Sequence, residues 1–155
     1  MTTSDAVLSS KVQVAYIDIR VFVHATEEPE RVLIATRNVL PIESIDTVAF
    51  KKANLTGHHG NIITLYETKI KEKKLVQAAF ERLCSGLSVL DREALANEIK
   101  QHLDKGNLYV RLDKQSAYFN ELRLSSRDPI HLRIHFKKHS VEEIVDVCRR
   151  SGLLP

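Results

Sequence analysis

The chain has 155 residues, 43% hydrophobic and 28% charged, which is the length of one domain with its own core and the balance of a soluble globular protein. Lysine and arginine number 23 against 20 acidic residues, a net charge of +3 with 7 histidines besides, and this permits a polyanionic partner without demanding one. No apolar run is long enough to span a bilayer and no basic start precedes an apolar stretch, so a cytoplasmic protein without membrane contact is expected.

In chain order, residues 1 to 10 are small and polar and read as a flexible lead-in, and residues 11–155 as a single α+β domain. A strand is expected from Lys11 to His24, because Ile17, Ile19, Val21 and Val23 alternate with Asp18, Arg20, Phe22 and His24. Val12 and Val14 are out of phase with that run, which predicts a bulge near Tyr16. Thr26 caps a helix with Glu27, Glu28 and Pro29 in its first turn, a stripe of Val32, Leu33, Thr36, Val39 and Leu40, and an end at Pro41. Strands follow over Asp46 to Leu55 and Ile62 to Ile70. A helix from Lys71 to Gly86 and a second, capped by Ser88 with Asp91 and carrying Leu95, Ile99 and Leu103 inward, come next.

Asp104-Lys105-Gly106-Asn107 is a turn leading into a strand of Leu108, Val110 and Leu112. A short strand at Glu121 to Leu124 and a long one at Ile130, Leu132, Ile134 and Phe136 complete the sheet. Ser140 and Glu143 form a capping box for a last helix with Val141, Ile144, Val145 and Cys148, stopped at Gly152. The order β-α-β-β-α-α-β-(β)-β-α predicts an antiparallel or mixed sheet with amphipathic helices on one face. Cys84 and Cys148 fall on helix stripes and read as buried thiols.

Such a sheet leaves its other face wet. His131, Arg133, His135 and Lys137 take the outward positions of the last strand at intervals of about 6.6 Å, close to the spacing of phosphates in a single strand. Lys51, Lys52, Lys69, Lys71, Lys73 and Lys74 add positive charge nearby in sequence, diluted by Glu67 and Glu72. The tip Gly57-His58-His59-Gly60-Asn61 between two strands is the other unusual feature. Its glycine amides and imidazoles suit phosphate or base recognition, its histidines suit proton transfer, and adjacent imidazoles make poor metal ligands unless His24, His131 or His135 join them. A tight turn using glycine conformations explains the string equally. In Asn107 to Tyr118, Arg111 and Lys114 are candidate phosphate contacts and Gln115 a base or ribose contact, against a cross-strand Arg111–Asp113 pair with a hairpin turn.

The tip, the strand Phe22-Val23-His24-Ala25-Thr26-Glu27 and the string Leu108-Tyr109-Val110-Arg111-Leu112-Asp113-Lys114-Gln115-Ser116-Ala117-Tyr118 together resemble an archaeal family described as RNA-binding proteins or predicted exosome subunits. The resemblance covers nearly the whole chain and implies an archaeal cytoplasmic α+β protein. That family has been likened to double-stranded-RNA-binding domains of order α-β-β-β-α. This chain departs from them by opening on a strand and by two successive central helices, and is more similar to ribosomal-protein-like RNA-binding folds. It implies a non-enzymatic RNA-binding accessory protein without cofactor or metal, with RNA and exosome or other RNA-processing proteins as partners. A protein-interaction module docking on an RNA-processing assembly is the alternative, and a histidine- or metal-dependent enzyme the third reading.

Overall fold

The computed structural model describes residues 13–137 and 140–155. The lead-in at 1 to 10, the start of the strand expected from Lys11 and the side chain of His58 lie outside the described residues.

Six strands form one antiparallel sheet: β1 (Val14–Val23), β2 (Lys51–Thr56), β3 (Ile62–Ile70), β4 (Leu103–Asp104), β5 (Asn107–Leu112) and β6 (Ile130–Phe136), in the spatial order β2-β3-β1-β6-β5-β4. The helices are α1 (Pro29–Arg37), α2 (Lys73–Gly86), α3 (Val89–Asn97), α4 (Ile99–His102), α5 (Lys114–Tyr118) and α6 (Val141–Ser151). The fold is therefore α+β, and its sheet is wholly antiparallel. No helix of the described residues is long and apolar enough to cross a membrane.

Strand alternation sets the layers. Ile17, Ile19, Val21, Leu108, Val110, Leu112, Ile130, Leu132, Ile134 and Phe136 are buried on one face. They share one core with Val76, Phe80 and Leu83 of α2, Leu95 of α3 and Ile144 and Val147 of α6, and Phe80 meets Phe136 edge to face at 5.9 Å. The register shift between Val14 and Tyr16 is the expected bulge. The extra residue returns Val14 to the buried face beside Ile17.

Local chemistry places most ends. Ser88 Oγ accepts the Asp91 amide at 3.1 Å, and Ser140 Oγ accepts that of Glu143 at 3.1 Å. Gly152 closes α6 in the left-handed region at φ 88°. The Asp104–Asn107 turn pairs β4 with β5 through Lys105 at φ 51° and Gly106 at φ 85°, the mirror-image turn whose twist matches that of a hairpin.

Six expectations shift. α1 starts at Pro29 with Glu28 at its cap rather than Thr26, because proline's fixed φ suits the first helical position. It ends at Arg37, and Val39 and Leu40 are buried in the connection beyond it. β2 begins at Lys51 instead of Asp46, since Ile42–Ser44 forms a single 3-10 turn after Pro41. The central helix breaks at Glu98, so that Ile99 opens α4 and Leu103 joins β4. The segment around Glu121 to Leu124 contributes isolated bridges at Leu122 and Leu124. The polar run after Asp113 is a helix, α5, with Asp113 Oδ2 accepting the Ser116 amide at 2.8 Å.

Candidate nucleic-acid interface

The face opposite the helices carries the other half of each alternation, and the register assembles it into rows. One row crosses five strands as Lys51, Glu67, Arg20, His131 and Arg111. The next holds Lys69, Asp18, Arg133 and Tyr109, and a third Tyr16, His135 and Asn107. Together with Ala49 and Lys71 the first two rows line a broad groove of about 1070 Å³.

The groove holds six cationic side chains, Arg20, Lys51, Lys69, Lys71, Arg111 and Arg133, against the two carboxylates Asp18 and Glu67. That local excess is larger than the +3 of the whole chain. The basic balance is therefore concentrated here, where a concave wall strengthens its field.

These cations are not equivalent. Arg133 Nε donates to Asp18 Oδ2 at 2.9 Å and its Nη2 shares that oxygen, while Lys69 Nζ lies 3.8 Å from Asp18 Oδ1 and 4.3 Å from the centre of the Tyr16 ring. The Asp18 carboxylate beside it, with Tyr109 also hydrogen-bonded, holds the Arg133 guanidinium above its usual range. Arg133 is thereby fixed as part of the wall. Arg20 and Arg111 are exposed, with Arg20 5.8 Å above the Phe22 ring, and keep their guanidinium hydrogens turned to solvent.

The histidines are also differentiated. His135 stacks on Tyr16 at 4.7 Å and donates from Nδ1 to Asn107 Oδ1 at 2.7 Å. His131 is half-buried, packs edge to face with Phe22 at 6.2 Å, and lies one strand from Arg20 and one from Arg111. Partial burial, then the Arg20 and Arg111 charges, hold its pKa below the ordinary value; Asp128 acts against them and Lys114 with them. Its surroundings thus favour the neutral imidazole, which offers one donor and one acceptor.

Among the residues singled out in the sequence, Arg111, His131, Arg133 and His135 converge on this face. Lys137 is exposed at the end of β6. The alternation that points to them does not reveal Arg20, Lys51 and Lys69 as their neighbours, because cross-strand pairing does that. Gln115 is exposed on α5. Lys114 is turned inward: its Nζ donates to the Phe22 carbonyl at 2.6 Å, to Glu27 Oε1 at 3.1 Å and to Asp128 Oδ2 at 2.8 Å, and only 13% of its side chain is accessible. Asp113 caps α5 instead of pairing with Arg111.

The Gly57-His58-His59-Gly60-Asn61 tip closes the β2–β3 hairpin, with the Gly57 amide on the Asn61 carbonyl at 2.6 Å. His59 and Gly60 take positive φ of 61° and 76°, so the glycine serves the turn. Ile62 starts β3 five residues before Glu67 of the groove, which puts the tip roughly 17 Å along the strand from the His131 row. The structure thus separates the tip from the groove. Among the described residues one set of potential metal ligands converges, His24, Glu27 and Asp128, with atoms within 4.8 Å of one another. The Lys114 ammonium is the cation held there.

A family model described as RNA binding matches residues 16–136, and the chain belongs to that archaeal family. It is similar to the RNA-binding protein PAB1135 of Pyrococcus abyssi, 38% identical over 133 residues that cover 84% of this chain and 86% of the relative. Of solved structures, it resembles Mth689, a DUF54 protein of Methanothermobacter thermautotrophicus, at TM-score 0.72 and 26% identity, covering 92% of this chain and 99% of that one. The DUF54 protein SSO0741 of Sulfolobus solfataricus shares the fold at TM-score 0.71 and 21% identity, over 88% and 97% of the two chains.

Proposed function

We propose that the protein binds RNA non-catalytically on the open face of its sheet. Arg20, Lys51, Lys71 and Arg111 meet phosphates, Arg133, Lys69 and His131 shape the floor and walls, and His135 stands in the next row beyond the groove. The concentration of more than the chain's whole positive excess in one groove carries this reading, and membership of the RNA-binding family supports it. Lys137 and the Gly57–Asn61 tip lie beyond the groove and serve as outlying contacts to a longer RNA.

Titrating a labelled RNA from low to physiological salt tests the proposal. Log affinity is expected to fall linearly with log salt, and Arg20→Ala and Arg111→Ala each to lower the slope by about one. Absence of binding at low salt, or affinity indifferent to salt and to both substitutions, sinks it.

An accessory role on an RNA-processing assembly such as the exosome, in the cytoplasm, is the second reading. It draws on Ile42, Leu90 and Phe119, exposed by 82%, 77% and 67%, none of which lines the groove. It predicts that captured partners survive nuclease treatment and are lost from an Ile42→Asp, Leu90→Asp, Phe119→Asp variant.

A further inference from the structure

Resting on the reading of the open face as the RNA site, we propose that this groove selects unpaired RNA, seating one base over His131 and Phe22 while Arg20 and Arg111 hold the flanking phosphates. His131 is set low in the row, half-buried, with an arginine on each side. The two arginines stand two strands apart, about 9.6 Å, which long side chains narrow to the separation of neighbouring phosphates.

In an A-form duplex the base edges are held in a deep, narrow major groove or a shallow minor one, and the phosphate backbones are outermost. A duplex laid on this face meets the exposed arginines and lysines first and leaves the floor untouched. An unpaired base, by contrast, can splay downward to the floor.

The floor has the chemistry of a base rather than of a second phosphate. Arg133 is held by Asp18, and His135, in the row beyond the groove, by Asn107. That leaves the His131 imidazole, offering one donor and one acceptor beside the apolar ring of Phe22. A neutral imidazole among guanidinium groups hydrogen-bonds to a base edge without adding to the phosphate charge count.

The test compares a 12-nucleotide single strand with the same strand annealed to its complement, at one salt concentration, for the wild type, His131→Ala and His131→Gln. The wild type is expected to prefer the single strand by at least about tenfold, the roughly 1.4 kcal/mol that one stacked base supplies. His131→Ala is expected to lose most of this preference while the salt dependence for single strands is unchanged, and His131→Gln to keep part of it through its amide. Circular dichroism confirms that both variants fold. Equal or tighter duplex binding, or a preference that survives His131→Ala, overturns the inference while leaving RNA binding by the face intact. Binding of neither RNA removes both.

Discussion

The Lys114 ammonium sits 2.8 Å from the Asp128 carboxylate and joins four parts of the fold at once: the end of β1 through the Phe22 carbonyl, the segment before α1 through Glu27, the start of α5, and the loop entering β6. His24 Nε2 donates to the other oxygen of Asp128 at 3.0 Å. Burial would raise the Asp128 pKa, but the hydrogen bonds from Lys114 and His24 outweigh it and hold the carboxyl below its usual value.

Lys114→Met leaves two carboxylates facing each other without their cation. Because Asp128 is 44% exposed, the loss is smaller than for a fully buried pair, about 1–3 kcal/mol. Urea unfolding measures it. RNA affinity below the unfolding transition is expected to stay at the wild-type value, and a loss of affinity at unchanged stability would make Lys114 a direct contact.

The hairpin tip separates two roles. Gly60→Ala meets no steric neighbour, since nothing lies within 4 Å of the added carbon, so its cost is the left-handed backbone alone, about 1–2 kcal/mol. The double variant His58→Ala, His59→Ala keeps Gly60, and its stability is measured by urea unfolding beside its affinity because His59 itself takes the left-handed conformation at φ 61°. It is expected to weaken RNA binding by about 0.5–1 kcal/mol, a few-fold, as an outlying hydrogen-bonding contact does. Unchanged affinity would make the tip a turn and nothing more.

Cys84 and Cys148 are buried on α2 and α6. Burial first, then Glu81, pushes the Cys84 thiol up to about 12, against the pull of Arg92, and burial raises Cys148 as well. Few thiolates exist at pH 8. A disulfide reagent should therefore label neither cysteine in the native protein, and labelling in urea should follow the unfolding transition.

His131 makes acidification a probe of the groove. Its folded pKa is lower than the 6.5 of the free side chain, so the unfolded chain binds the proton more tightly. Its share of stability is complete above about pH 6.5, declines as pH falls below that value, and is fully lost once pH passes below the folded pKa. Bound phosphate favours the imidazolium, so RNA affinity should rise between pH 7 and pH 5 while the preference for single strands shrinks. In His131→Ala the rise should be smaller, measured by anisotropy at constant ionic strength.

Much of this was legible in the chain because the forces are local. The period of Ile130 to Phe136, the bulge at Tyr16 and the serine caps at Ser88 and Ser140 depend on residues a few positions apart. Local chemistry also accounts for two of the shifts, since Pro29 outcompetes Thr26 for the helix start and Asp113 with Ser116 closes a helix where a turn was expected.

The composition of the candidate site belongs to the tertiary structure. Alternation places His131 and Arg133 outward, yet it says nothing of which side chains stand beside them. Arg133 finds Asp18 across 115 positions of sequence, and His131 becomes the neutral member of a cationic row only when β1 and β5 flank β6. Lys114 reads from the sequence as a phosphate contact beside Arg111, whereas the packing of the segment before α1 and the β6 entry loop draws its ammonium onto Glu27 and Asp128. A residue's type and period decide which face it takes. Its partners, burial and protonation depend on strands brought together from distant parts of the chain, because electrostatic and hydrogen-bonding energies act through space over a few ångströms.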